Sequence, residues 1–292
     1  MSETVRDAAT DATQGVGLES TGVDSAQAAA DAARQAAATQ EGDEAPLLSI
    51  EDVSINFGDF KAIKNVSTSV GNNEVRFFIG PNGAGKTTIL DAICGKNKVS
   101  SGHIIYKGQY DLSRMREYKI ANLGVGRKFQ APSVFNGITI LENMELAASG
   151  RHTLYSTTFK RLSKDAEDHI RYVLDFIGLY DRKFDYPTRL SHGEKQWLEI
   201  GMLLAESPDL LLLDEPVAGM SRRETDHTAE LLHKIKEECS VIVVEHDMQF
   251  AKEVSDKVTV FHEGRILDEG TMDSVSHNQQ VIDVYLGRGG EQ

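Results

Sequence analysis

One segment narrows the choice of fold more than any other feature: Gly80-Pro81-Asn82-Gly83-Ala84-Gly85-Lys86-Thr87. It matches the pattern G-x-x-x-x-G-K-[ST], whose glycines let a backbone close around phosphate oxygens. The apolar run EVRFFIG (74–80) enters the loop, and a helical period over 86–94 leaves it. Strand, loop and helix in that order aim backbone N–H groups and a helix N-terminus at one point, which suits a nucleoside triphosphate. Lys86 would neutralise the β and γ phosphates, and the Thr87 hydroxyl would hold Mg²⁺. A glycine-rich turn without function is the plain alternative, and the context on both sides weighs against it.

A phosphate loop also needs an acid for the metal and a group to order water. Leu210 to Leu213, followed by Asp214 and Glu215, supplies both. A strand buried on both faces would deliver the two carboxylates at its C-terminal edge, beside the loop. Neighbours on a strand point to opposite faces, so the two acids can hold different tasks. Asp214 suits the Mg²⁺ shell, and Glu215 suits polarising the attacking water as general base.

The remaining chain alternates short β-rich runs with helical periods. LLSIEDVSINF (47–57), HIIYKG (103–108), SVIVVEH (240–246) and KVTVFHEGRIL (257–267) read as further strands, and Arg222 to Glu238 as a helix. Recurring strand, helix and strand point to an α/β fold with a parallel sheet. Residues 137 to 206 look mainly helical and suggest a subdomain inserted between core strands. Residues 1 to 46 differ from all of this. They carry thirteen alanines, no aromatics and a net charge of −7, half of the −14 of the whole chain. Too few large apolar residues are present to offset the entropy of ordering, so the segment reads as a disordered tail.

Composition excludes several function classes. No run approaches the roughly 18 apolar residues that span a bilayer, so the chain is no channel by itself. Only Cys94 and Cys239 are present, too few for a disulfide framework and without the paired spacing of a zinc site. The acidic balance argues against a nucleic-acid protein driven by bulk charge.

The order of Gly80 to Thr88, Gln130, Leu190-Ser191-His192-Gly193-Glu194, Leu210 to Glu215 and His246 resembles the ATP-binding subunits of ABC transporters over about residues 47 to 287. The resemblance implies a P-loop NTPase core, an antiparallel β subdomain and an inserted helical subdomain at about 131–206, with the ATPase domain spanning 47–292 behind the tail. It implies that Phe57 stacks on adenine and that Gly80, Pro81, Asn82, Gly83, Ala84, Gly85, Lys86, Thr87 and Thr88 hold ATP. Gln130 matches the glutamine that senses Mg²⁺ and the water, at the contact with the membrane subunits, and His246 matches the histidine that contacts the γ-phosphate.

Ser191-x-x-Glu194 before an apolar-periodic run is by itself a capping box, which would start a helix at Ser191. The resemblance implies that this start, with Ser191, Gly193 and Glu194, presses on the γ-phosphate held by a second ATPase subunit. Two departures stand out. His192 and Glu194 replace residues of the usual L-S-G-G-Q, and Ser221 stands where an aspartate is common. Both alter the surface facing the dimer partner, and Glu194 is tolerable if it folds back on its own helix.

Gly124 to Phe135, Lys195 to Met202 and Glu215 to Met220 are similar to the urea-transporter branch of the branched-chain amino acid importer ATPases. That implies two permease subunits, a second ATPase subunit (a related chain, or another copy in isolation), a periplasmic solute-binding protein acting indirectly, and a peripheral place on the cytoplasmic face of the inner membrane. Urea, a short amide or a branched-chain amino acid is the implied solute. A non-transport ABC ATPase or a regulatory module with little turnover is the alternative.

Overall fold

The computed structural model describes residues 45–128, 134–149 and 163–286. The expected tail up to residue 44 and the expected role of Gln130 lie outside the described residues.

In chain order the elements are β1 (Leu48–Phe57), β2 (Phe60–Val70), β3 (Val75–Ile79), α1 (Lys86–Ile93), β4 (Ser101–Tyr106), β5 (Tyr110–Asp111), α2 (Glu117–Asn122) and β6 (Val125–Arg127). Three helices follow, α3 (Ile140–Ser149), α4 (Lys164–Phe176) and α5 (His192–Leu204). The chain returns through β7 (Leu210–Asp214), α6 (Arg222–Ile235), β8 (Ser240–Val244), α7 (Met248–Val254), β9 (Lys257–His262) and β10 (Arg265–Gly270), and then forms α8 (Met272–Ser276) and α9 (Gln279–Leu286).

Two sheets result. One is six-stranded in the order β10-β9-β3-β8-β7-β6, parallel except for the β9–β10 pair. The other is antiparallel, in the order β2-β1-β4-β5. Every residue of β3, β7 and β8 is buried, which is why these strands are continuous apolar runs instead of alternating ones. Alternation persists in where the side chains go. Phe77, Leu211, Leu213, Val241 and Val243 enter the core shared with α3 to α7, whereas Phe78, Leu210, Leu212, Ile242 and Val244 enter the core beneath α1 and the antiparallel sheet. Phe77 meets Phe250 edge-on at 5.7 Å and Phe78 meets Phe261 at 5.1 Å. Burial of each such ring contributes about 1.5–3 kcal/mol.

Two features depart from the sequence-based runs. β2 was not anticipated: it alternates buried and exposed residues and pairs antiparallel with β1 through the two-residue turn Gly58-Asp59. KVTVFHEGRIL is a hairpin and not one strand, because Glu263 and Gly264 both take positive φ (48° and 77°), the combination that closes a tight I′ turn. That hairpin tip braces the phosphate loop: Gly264 N–H donates to the Ala84 carbonyl at 3.0 Å, and Lys64 N–H donates to the Gly264 carbonyl at 2.8 Å.

Three neighbouring parallel strands set the site. β8 lies between β3 and β7, with Phe78 and Asp214 both in register with Val244. The segments leaving their C-terminal ends, at Gly80, Glu215 and Glu245, therefore emerge side by side. No helix of the described residues is long and apolar enough to cross a membrane.

Candidate nucleotide site

Gly80, Gly83 and Gly85 take φ values of 143°, 78° and 108°. At Gly80 there is no alternative residue: a Cβ there would lie 2.1 Å from the Phe261 carbonyl oxygen. The loop hands over to α1 at Lys86, whose ammonium donates to the carbonyls of Gly80 (2.7 Å) and Pro81 (3.1 Å) and is only 5% exposed. Burial pulls the Lys86 pKa below its ordinary value, and the nearby charges of Glu215 and Asp214 partly oppose that pull.

Asp214 is 5% exposed at the end of β7. Burial raises its pKa most, while Thr87 and Arg127 favour the ionised form. Thr87 faces it and favours its ionised form, but among the described residues no donor reaches either carboxylate oxygen in full hydrogen-bond geometry. A buried carboxylate left this way costs several kcal/mol unless a cation satisfies it. The residues thus fit Mg²⁺, with Asp214 and the Thr87 hydroxyl as oxygen donors and phosphate or water supplying the rest. Among the described residues no group of three or more His, Cys, Asp or Glu could hold a metal alone.

Glu215 is held at φ 49°, with its N–H donating to the Val244 carbonyl at 2.9 Å. Its side chain meets His246 Nε2 at 3.0 Å, and both side chains are nearly half exposed. Phe57, the loop from Asn82 to Thr88, Glu215 and His246 line one cleft of about 300 Å³. Phe60 also lines it, and its ring is 67% exposed. The sequence reading missed Phe60; its signal was the pair of aromatics flanking Gly58-Asp59, which the β1–β2 register sets directly opposite each other.

Ser191, Gly193 and Glu194 do not line this cleft. Ser191 caps α5: its hydroxyl accepts from Glu194 N–H at 3.1 Å, and its own N–H donates to Glu194 Oε2 at 2.8 Å. The other Glu194 oxygen accepts from Arg182 at 2.7 Å, so the added charge is folded back and paired. His192 bonds the Ala218 carbonyl at 3.1 Å, which ties the start of α5 to the segment following Glu215.

Glu224, which the sequence reading left out, joins the same two segments. It accepts from the Ser191 hydroxyl at 2.8 Å and, on the other oxygen, from Ser221 N–H at 2.9 Å and the Ser221 hydroxyl at 2.8 Å. A Cβ at Gly193 would lie 2.6 Å from Glu224 Oε1, so a larger residue there would displace that carboxylate. The Ser221 bonds, followed by the Ser191 bond, hold the Glu224 pKa at about 2, down from the ordinary 4.5. Because the folded-state pKa is depressed, the stability it adds is complete above pH 4.5 and vanishes as pH falls towards 2. Glu224→Gln is expected to cost about 1 kcal/mol at pH 7, in line with a lost helix cap at a partly exposed site. The gap in urea midpoint between variant and wild type closes as pH falls through that window; a gap constant with pH contradicts this.

The model of the family described as ABC transporter matches residues 63–218. The chain is 32% identical over 251 residues to the high-affinity branched-chain amino acid transport ATP-binding protein LivG of Escherichia coli, covering 83% of this chain and 98% of that one. It is likewise 32% identical to the corresponding protein BraF of Pseudomonas aeruginosa, with the same coverage. An ATP-binding cassette of an ABC transporter, solved in its ADP conformation, superposes with a TM-score of 0.74 at 25% identity, covering 84% of this chain and all of that one. The cleft built from the phosphate loop, the acid-tipped β7 and the segment after β8 is therefore found in a chain that belongs to the ATP-binding subunits of ABC transporters.

Proposed function

We propose that the chain binds ATP with Mg²⁺ in the Phe57–Thr88–His246 cleft and hydrolyses it to energise an importer whose permeases are separate subunits. The observation that carries this reading is the buried Asp214 carboxylate, without a full hydrogen-bond partner among the described residues and set beside Thr87 and the phosphate loop. Phe57 and Phe60 offer rings to the base, the loop N–H groups and Lys86 receive the phosphates, and Thr87 and Asp214 hold the metal. When bound, Mg²⁺ neutralises charge on the phosphate oxygens. Glu215 accepts a proton from the attacking water, and His246 orients Glu215 and meets the γ-phosphate. Gln130 is assigned to sensing the metal and the water.

Ser191, Gly193 and Glu194 sit at the capped start of α5, where N–H groups and the helix dipole favour negative charge. This end is assigned to the γ-phosphate on a second ATPase subunit, so two nucleotides are shared by a head-to-tail pair. Two permeases on the membrane and, indirectly, a periplasmic solute-binding protein complete the importer. The subunit then sits on the cytoplasmic face of the membrane.

The transport roles of the relatives favour a branched-chain amino acid as solute, whereas the segments 124–135, 195–202 and 215–220 favour urea or a related amide. On this reading the solute passes through the permeases and not through this chain, so uptake decides. Cells lacking the subunit are compared for labelled leucine and labelled urea; the solute whose uptake falls is the cargo, and unchanged uptake of both contradicts an import role for either.

Phe57→Ala and Phe60→Ala test the base contact. Stacking contributes about 1–3 kcal/mol per base, so the ATP dissociation constant is expected to rise roughly 5- to 100-fold for the ring that stacks. Unchanged affinity in both variants rejects an aromatic base platform.

A further inference from the structure

We infer that Glu245 is a positioning residue that locks the backbone of the Glu215 segment to that of His246, and this rests on the assignment of Glu215 and His246 to hydrolysis. Glu245 follows the last residue of β8 and is 4% exposed. A carboxylate that deep is costly unless its oxygens are fully engaged. Both are engaged by backbone. Oε1 accepts from Val217 N–H at 3.1 Å, two residues beyond Glu215, and Oε2 accepts from His246 N–H at 2.9 Å.

The Asp247 N–H also faces the carboxylate. Lys128, itself buried at the end of β6, lies close enough to feel its charge. These donors come from the segments leaving two different strands, β7 and β8. Past the last ladder bond, from Glu215 N–H to the Val244 carbonyl, the Glu245 side chain takes over as acceptor for the Val217 and His246 N–H groups. A valine or isoleucine would bury as well but would leave Val217 N–H without an acceptor.

The side-chain contact that hydrolysis needs spans the same two segments, Glu215 to His246 at 3.0 Å. Both of those side chains are nearly half exposed, so packing does not fix them; their backbones do. Glu215 N–H on the Val244 carbonyl supplies one tie, and the Glu245 carboxylate supplies the second, on the far side of Glu215. Misplacement of a reacting group by about 1 Å can cost 10²-fold in rate. The hydrogen-bond partners of the Glu245 side chain are Val217, His246 and Asp247 and not the phosphate loop, so its effect falls on turnover and not on ATP affinity.

Glu245→Gln replaces one acceptor oxygen by an NH₂ group that faces a backbone N–H. In the full chain assembled with its partner subunits, kcat is expected to fall at least tenfold, with the ATP dissociation constant within twofold of wild type. In a His246→Ala background the same substitution is expected to cause no further loss, because the contact it serves is already gone. A merely structural role would lower ATP affinity and add to the His246→Ala loss. A wild-type rate in Glu245→Gln, or losses that add, overturns the inference.

Hydrogen exchange in the wild-type chain provides a measure that no folding defect can confound. The Val217 amide is expected to be protected, and exchange at the rate of a free loop amide overturns the inference. If Glu215→Gln and His246→Ala also leave the rate untouched, the hydrolytic reading itself fails; if they abolish turnover while Glu245→Gln does not, only the role of Glu245 fails.

Discussion

Glu215→Gln retains ATP and loses turnover by about 10²- to 10⁴-fold, the contribution of a positioned general base. Glutamine keeps the length and shape of the side chain and still offers His246 an oxygen at the 3.0 Å contact. It cannot take a proton from water. The phosphate loop, Lys86 and Asp214 are untouched, so nucleotide affinity stays near wild type while the closed pair of ATPase subunits accumulates. Phosphate release in the steady state and size-exclusion of the ATP-bound variant read the two effects separately. Turnover within threefold of wild type removes Glu215 from the chemistry.

Lys86→Ala acts at the other end of the cycle. The ammonium bonds the Gly80 and Pro81 carbonyls and sits between the loop and two carboxylates, so its removal loosens the loop and leaves that acidic corner without its cation. Hydrogen bonds to charged groups contribute about 1.5–3 kcal/mol each, so loss of two such contacts with phosphate raises the ATP dissociation constant about 10²- to 10⁴-fold. Lys86→Arg is not expected to restore affinity, because a planar guanidinium does not fit a site shaped for a compact ammonium. Affinity within fivefold of wild type in the alanine variant contradicts the role given to Lys86.

Much of this site was legible because its parts are local in sequence. Gly80 to Thr87 fixes its own geometry through three positive-φ glycines and the helix that follows. The four leucines before Asp214 have modest strand propensity, yet burial on both faces makes them β7. Ser191 and Glu194 encode the start of α5 within four residues.

What escaped depends on pairing at a distance. β2 is polar on one face and so lacks the apolar run that marked β3 and β7, and β1 alone gives it a register. Phe60 matters because the hairpin turns it towards the cleft that Phe57 also lines. Glu224 and Glu245 look like ordinary acids in sequence; their partners, Ser191 and Val217, lie 33 and 28 residues away. A carboxylate that satisfies backbone N–H groups across two loops leaves no local pattern to read. The separation of two cores on the faces of one sheet was likewise invisible until the alternation of Phe77 and Phe78 had a sheet to alternate across.

Equilibrium binding of ATP to the purified chain with its partner subunits, in Mg²⁺ and again with the metal chelated, probes the buried acid and the phosphate loop together. Tight binding in Mg²⁺ that weakens at least tenfold on chelation, with Asp214→Asn insensitive to the metal, is the outcome required by an unsatisfied carboxylate beside Thr87. Equal affinity with and without the metal, or no affinity at all, would contradict the assignment of this cleft to a magnesium nucleotide.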